Sequence, residues 1–268
     1  AVVHTTHPGH GTREWFVNPA TLEIQKVRNA QGHLMAWVYR FHRIWLMEEV
    51  GPYLSGVTGI GAFILAVSGM MTWSKATQLR LRLRFIHPVS FLRWYDVHRL
   101  LGITIAGFFI CCTITGFLLV LKPWLNQVLM SEKHVTAVMA KASKQTLHPE
   151  AAINASSHIF PDAVFSHLKF PTKDGDPYET YWLRAKDVRK SKGMNTVFVD
   201  ASSGVVLDVY DANKLPAAKA ALAWMFPLHN GEYFGLAGRV IVLMTGLTIP
   251  IMAYTGIRMW LRRRKNYK

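Results

Sequence analysis

Three stretches of this chain run without a single charge over lengths that a bilayer demands. Residues 53–73 give 21 such positions, 100–121 give 22 and 240–257 give 18, and 234–260 is apolar apart from Arg239 and Arg258. About 20 apolar residues are needed to cross a hydrocarbon core of about 30 Å. A soluble core can hide one such helix, but three in 268 residues predict an integral membrane protein.

The charges sit where that expectation needs them. Half of the residues are apolar, yet the net charge is +15, so Lys and Arg are crowded into the few polar segments. A basic balance also suits a nucleic-acid binder, a class that the three apolar runs exclude. Between the first two runs stand Lys75, an alternating Leu/Arg segment at 79–84, Arg93 and Arg99, with Asp96 as the one acid; Arg262, Arg263, Arg264 and Lys265 follow the third. Short loops rich in Lys and Arg remain cytoplasmic. Three crossings put both clusters on that same side, as the rule requires. Residues 1 to about 50 and about 123 to 230 then face the other side, the periplasm if the membrane is a bacterial inner membrane. The two cysteines, Cys111 and Cys112, are adjacent within the second run and cannot frame a disulfide scaffold.

The segment between the second and third runs reads as α+β. Ala151, Ala152, Ala155 and Ile159 recur at helical spacing over 148–160, with Pro149 at an early position where proline is allowed. Strand-like runs follow at 164–170, 178–184 and 196–199, and a turn at 200–204 leads to a hairpin partner at 205–210.

The chain also repeats itself. From His42, Gly59, Gly69 and Trp73 lie 17, 27 and 31 residues on; from His229, Gly246, Gly256 and Trp260 lie at the same offsets. Phe16-Val17-Asn18 and Phe198-Val199-Asp200 each open a hairpin ahead of the histidine, with a connection five residues longer in the second copy. The second copy has a span and a complete outer domain before its hairpin, and the first begins within that domain. The repeat therefore predicts a parent protein with four spans, of which three are present here.

Asp96-Val97-His98-Arg99-Leu100-Leu101-Gly102, the 148–210 segment with its Ala-rich helix and Val-Asp-x-x-x-Gly hairpin, and Leu228-His229 with Gly256 and Trp260 resemble the PepSY-associated transmembrane family. The resemblance implies a membrane α-helical bundle carrying α+β PepSY-like periplasmic domains. It divides the chain into 1–32 (end of a first PepSY-like domain), 33–75 (first helix or span) and 76–96 (basic cytoplasmic loop). The second span at 97–122, the periplasmic domain at 123–228, the third span at 229–261 and a basic tail at 262–268 complete it. Within the family the chain is most similar to siderophore reductases of the ferrioxamine type, which implies haem-dependent reduction of ferric iron.

Of the 12 histidines, three stand beside spans: His42 and His229 before the outward ends of the first and third, and His98 at the cytoplasmic opening of the second. Ionisable groups at membrane depth are costly and default to functional roles, and imidazole nitrogen is a strong ligand of haem iron. Parallel repeats relate by an axis along the membrane normal, so His42 and His229 are expected to ligate one haem b. His98 would hold a second with a counterpart on the absent span, or with His87 of the adjacent loop. Plain alternatives stay open for all three, as helix caps or interfacial rings.

The glycines of the first two spans serve close helix packing or make room for porphyrin, and tryptophans at the span ends form an interfacial belt. His4, His7 and His10 are expected to make either a metal-binding tract or a disordered chain end. No nucleotide-binding motif is present, so electrons are expected from quinol or a cytoplasmic reductase. The partners expected are thus the lipid bilayer, a ferric siderophore and that donor, and no nucleic acid. The alternative is a non-enzymatic PepSY membrane protein whose outer domain binds a peptide or protease.

Overall fold

A computed structural model describes residues 1–7, 11–76, 91–129 and 147–265. The basic 79–84 segment, His87 and His10 lie outside the described residues. The chain divides into two compact units, Ala1–Gly61 and Ala62–Lys268.

The first unit opens with three antiparallel strands, β1 (Val2–His7), β2 (Gly11–Val17) and β3 (Ile24–Asn29), in the order β1-β2-β3. The β1 strand is one that sequence reasoning missed. Trp15 Nε1 donates to Thr5 Oγ1 across β1 and β2 at 2.8 Å, and Arg28 pairs with Glu14 across β2 and β3. Helix α1 (Leu34–Ile44) follows, with the His33 ring nitrogen Nδ1 accepting from the Ala36 amide as its N-cap. The chain then breaks. Trp45 and Leu46 both take left-handed backbone angles, φ 50° and 61°, which no helix continues. Ser55 donates to the carbonyls of Arg43 (2.9 Å) and His42 (3.3 Å), satisfying groups that the end of α1 leaves open. Helix α2 (Gly51–Ala76) begins so close to α1 that a β-carbon on Gly51 would lie 1.7 Å from the Ile44 carbonyl oxygen. The expected single helix at 33–75 is therefore two.

The second unit holds α3 (Phe91–Leu129), then α4 (Pro149–Ser157) and the antiparallel strands β4 (Val164–Lys169), β5 (Tyr178–Leu183), β6 (Asn195–Val199) and β7 (Val206–Tyr210). The strand order is β4-β5-β6-β7, with α4 packed on β4, β5 and β6. The expected helix and all four strands are found, each within three residues of its expected ends. Ala152, Phe160, Tyr178, Trp182, Val197 and Val199 bury together as the core of this domain. Helices α5 (Ala217–His229) and α6 (Gly235–Lys265) close the unit, and both pack on α3.

Two expected boundaries move. The second helix extends beyond 97–122 in both directions, and at its C-terminal side Pro123 is accommodated inside α3 rather than ending it. A proline removes one helical hydrogen bond, a loss that helices in a bilayer tolerate. The expected outer domain at 123–228 includes a helix of its own, α5, and His229 is the last residue of α5 rather than the first of the span. Gly231, at φ 73°, breaks the chain there. Among the described residues three helices, Gly51–Trp73, Trp94–Val128 and Glu232–Arg264, are long and apolar enough to cross a membrane.

The internal repeat survives to the level of single hydrogen bonds. In the first sheet Phe16 pairs Lys26 and Val17 pairs Ile24, with a bulge between; in the second Phe198 pairs Asp208 and Val199 pairs Val206, with the bulge at the same place. The Asn18 amide donates to the Glu23 carbonyl and the Leu22 amide to the Asn18 carbonyl. The Asp200 and Gly204 amides do the same with Val205 and Asp200. Beyond the hairpins, α1, a left-handed break and α2 match α5, a left-handed break and α6.

Candidate functional site

His98 stands about two turns into α3, just ahead of its uncharged stretch, facing the last third of α6. Its Nδ1 lies 2.8 Å from Thr255 Oγ1. The buried Thr255 hydroxyl donates to the carbonyls of Ile251 and Met252, both at 3.0 Å. With its proton given to those carbonyls, the oxygen accepts from His98 Nδ1–H in the tautomer whose Nε2 carries the lone pair, the arrangement in which an imidazole ligates a metal. Gly256 keeps the wall beside the ring low, since a β-carbon there would touch His98 Cε1 at 3.7 Å. Trp94, one turn earlier on α3, has its ring edge on Tyr254 at 5.5 Å. Its indole N–H is buried with no hydrogen-bond acceptor among the described residues. Orphaned buried donors are rare in folded proteins.

His229, at the end of α5, is held against the middle of α3. Its Nδ1 lies 3.0 Å from the Cys112 carbonyl oxygen and 3.2 Å from Thr115 Oγ1. The Thr115 hydroxyl donates to the Cys111 carbonyl at 2.7 Å, so here too Nδ1 is the protonated nitrogen and Nε2 carries the lone pair. The Cys112 thiol donates to the His229 carbonyl at 3.6 Å, tying the backbone of α5 to the same turn. Gly116 supplies the room, because a β-carbon at that position would lie 2.9 Å from His229 Cε1.

The two histidines occupy different centres. Along α3, His98 and the Cys112–Gly116 turn are 14 to 18 residues apart, about 21–27 Å at 1.5 Å per residue. One iron cannot join them. His42 belongs to the first unit, exposed on the last turn of α1, at the repeat position that His229 fills on α5. His4 lies in β1 beside Glu14, 3.9 Å away. Among the described residues no three or more His, Cys, Asp or Glu side chains converge as a metal site.

Sequence reasoning found the histidines and missed what orients them. Thr115 and Gly116 fall on the same α3 turn as Cys112, but no local pattern announced that α5 would dock there. A histidine at the end of one helix and a Gly/Thr turn in mid-span meet only through the tertiary fold.

A membrane helix bundle joined to a small α+β sheet domain, with histidines anchored between its helices, defines the class. The chain belongs to the PepSY-associated TM region family, whose family model matches residues 2–263. No curated protein matches the chain.

Proposed function

We propose that the protein is a haem-containing reductase of a bacterial inner membrane, passing electrons outward to ferric iron held by a periplasmic siderophore. The observation that carries this is the shared anchoring of His98 and His229. Each donates Nδ1–H to an acceptor fixed by the helix backbone, which leaves Nε2 with its lone pair. Second-shell donation of this kind sets ring orientation and raises ligand basicity.

The anchored imidazoles of His98 and His229 support a porphyrin ligand set. His229, with its repeat-equivalent His42, would serve one haem b and His98 a second. Haem bound there would supply one-electron redox chemistry that no side chain of this fold provides. The chain's own contribution is to orient the imidazoles through Thr115, Thr255 and the Cys112 carbonyl. Separated centres suit transfer across a hydrocarbon core of about 30 Å in relayed steps. Reduction favours release because Fe(II) is a softer, lower-charge cation than Fe(III) and is held less strongly by hard oxygen donors. The donor would be quinol or a cytoplasmic reductase, and the sheet domains would stand in the periplasm.

Absorption of the purified protein tests the proposal. A Soret band with α bands that sharpen on dithionite reduction is expected, together with reduction of a ferric hydroxamate. Folded protein without a Soret band after expression with ample haem refutes it.

A further inference from the structure

One loop of the sheet domain grips the chain on both sides of His229. Arg189, Lys190 and Ser191 lie in that loop, between β5 and β6. The Arg189 guanidinium carbon stands 4.5 Å from the centre of the Phe226 ring, about one turn before His229 on α5. Beyond His229 the chain turns through Asn230 and Gly231 to Glu232, which is 2% exposed. Its carboxylate accepts from the Lys190 amide at 3.2 Å and from the Ser191 hydroxyl at 2.8 Å, and it pairs with Arg189 Nε at 3.8 Å. The Asn230 side-chain amide donates to it at 2.9 Å, while Asn230 Oδ1 accepts from the Glu232 amide at 2.9 Å.

The link from Glu232 back to His229 has little slack. The Asn230 amide donates to the Phe226 carbonyl at 3.0 Å, extending the last turn of α5. Gly231 and Gly238 meet backbone to backbone: a β-carbon on Gly231 would lie 2.4 Å from the Gly238 carbonyl oxygen, and one on Gly238 2.2 Å from that of Gly231. On its other side His229 is held by α3, through its Nδ1 on the Cys112 carbonyl and the Cys112 thiol on its own carbonyl. A displacement of the loop therefore reaches the imidazole through three residues of confined backbone.

The break between the helices does not itself call for a carboxylate. The first repeat makes the same close approach, Gly51 against the Ile44 carbonyl, nine and two residues on from His42 as Gly238 and Gly231 are from His229. Where the second repeat has Glu232, the first has Trp45. A buried ion pair adds little net stability over apolar packing, whereas a satisfied network of directional hydrogen bonds admits one placement of its partners.

We infer that Glu232 is a positioning residue. It fastens the β5–β6 loop to the chain beside His229, so that the placement of the sheet domain sets the placement of the imidazole. Whatever displaces this loop then acts on His229 without touching it. That this governs an iron centre rests on the reductase reading; the positioning stands on the hydrogen bonds alone.

The test reads His229 through the Cys112 thiol, whose S–H stretching band in the infrared rises in frequency as its hydrogen bond to the His229 carbonyl weakens. Cys111→Ala, in the full chain in phosphatidylcholine nanodiscs, leaves Cys112 as the one thiol. On this background Ser191→Ala and Glu232→Gln are expected to raise the band. Ser203→Ala, in the turn between β6 and β7, should leave it in place. Val197→Ala, in the core of the sheet domain, should lower the melting temperature and still leave the band in place. Ser191→Ala trims one hydroxyl from an exposed loop residue and carries the test if Glu232→Gln disturbs folding. An unmoved band in either folded variant, or an equal shift in Val197→Ala, overturns the proposal. With haem bound as proposed, Glu232→Gln should also weaken its retention at the His229 centre about tenfold and leave the His98 centre intact. A shifted band in a protein that holds no haem, or holds it unchanged, keeps the positioning and sinks the role of His229 in the reductase reading.

Discussion

Gly116 lies under the ring of His229: a β-carbon there would stand 2.9 Å from Cε1, and Nδ1 meets the Cys112 carbonyl one turn back on α3 at 3.0 Å. The glycine and the carbonyl together fix where the imidazole can sit. Gly116→Ala should therefore push the ring off its acceptor and destabilise the protein by about 1–3 kcal/mol, the usual cost of overpacking. In a cycle with His229→Ala the two effects should be strongly non-additive, since the clash needs the ring. Thermal unfolding in detergent measures this, and simple additivity would show that the ring does not depend on Gly116.

The matched hairpins allow a comparison inside one chain. Leu22 and Gly204 occupy equivalent turn positions with φ of 60° and 75°. A left-handed conformation costs an L-residue about 1–2 kcal/mol relative to glycine, and Leu22 is exposed, so little packing is lost by trimming it. Leu22→Gly should raise the stability of the first sheet by about 1 kcal/mol, read by hydrogen exchange of β2 and β3. Gly204→Leu should do the reverse in the second sheet and also crowd Leu147, whose Cδ1 would lie 3.1 Å from the new β-carbon. If Leu22→Gly loosens the first hairpin, Leu22 contributes packing that outweighs its strain.

The parts of the fold read correctly from sequence are those governed by short-range pattern. Uncharged runs found the three spans because lipid leaves a helix no alternative. Alternation and the Asp200–Gly204 turn found β4 to β7. The features that escaped lie where short-range pattern is silent. Helix α5 (Ala217–His229) has the apolar composition of a span but stops after 13 residues, so in sequence it merges with the third span. Trp45 and Leu46 carry the break after α1 with bulky residues in place of the usual glycine, which hid it. At the candidate site the histidines were legible as chemistry, but Thr255 and the Cys112 carbonyl, which set their tautomers, are 157 and 117 residues away in sequence. Only packing brings them together.

Asp200 gives a pH dependence with a definite sign. Its carboxylate accepts from the Ser202 hydroxyl and amide, both at 2.7 Å, and from the Ser203 amide at 2.8 Å. The Ser202 hydroxyl, with these amides, holds its pKa below the ordinary carboxylate value, against a smaller opposing effect of burial. A depressed folded pKa means stability that is fully present above the unfolded value, about 4, and lost as pH falls through the folded one. Melting temperature should fall more steeply below about pH 4 in the wild type than in Asp200→Asn. Parallel curves for the two proteins would show that this turn does not couple to protonation.

The histidines make the decisive comparison because the structure separates two of them along α3. Thr255 orients His98 near one end of the helix, and Cys112 orients His229 some 14 or more residues away. Two centres about 21 Å or more apart share no side chain, so His98→Ala and His229→Ala should act independently. If the proposed haems are bound there, each should remove its own part of the reduced α-band absorption, and the double substitution should remove the sum. His42→Ala carries the opposite expectation. If the repeat pairs His42 with His229 on one iron, their single substitutions should give the same spectral change and the double little more than either. Thr255→Val offers a finer probe, because it keeps the shape of the side chain and deletes the acceptor of His98 Nδ1–H. Loss of an orienting partner typically weakens metal affinity about 10–100-fold without removing the ligand. Haem content at the His98 centre should then fall while the His229 centre keeps its spectrum. If all four variants retain wild-type haem content and low-spin spectra, these imidazoles are helix-packing residues, and the proposed ligation is wrong.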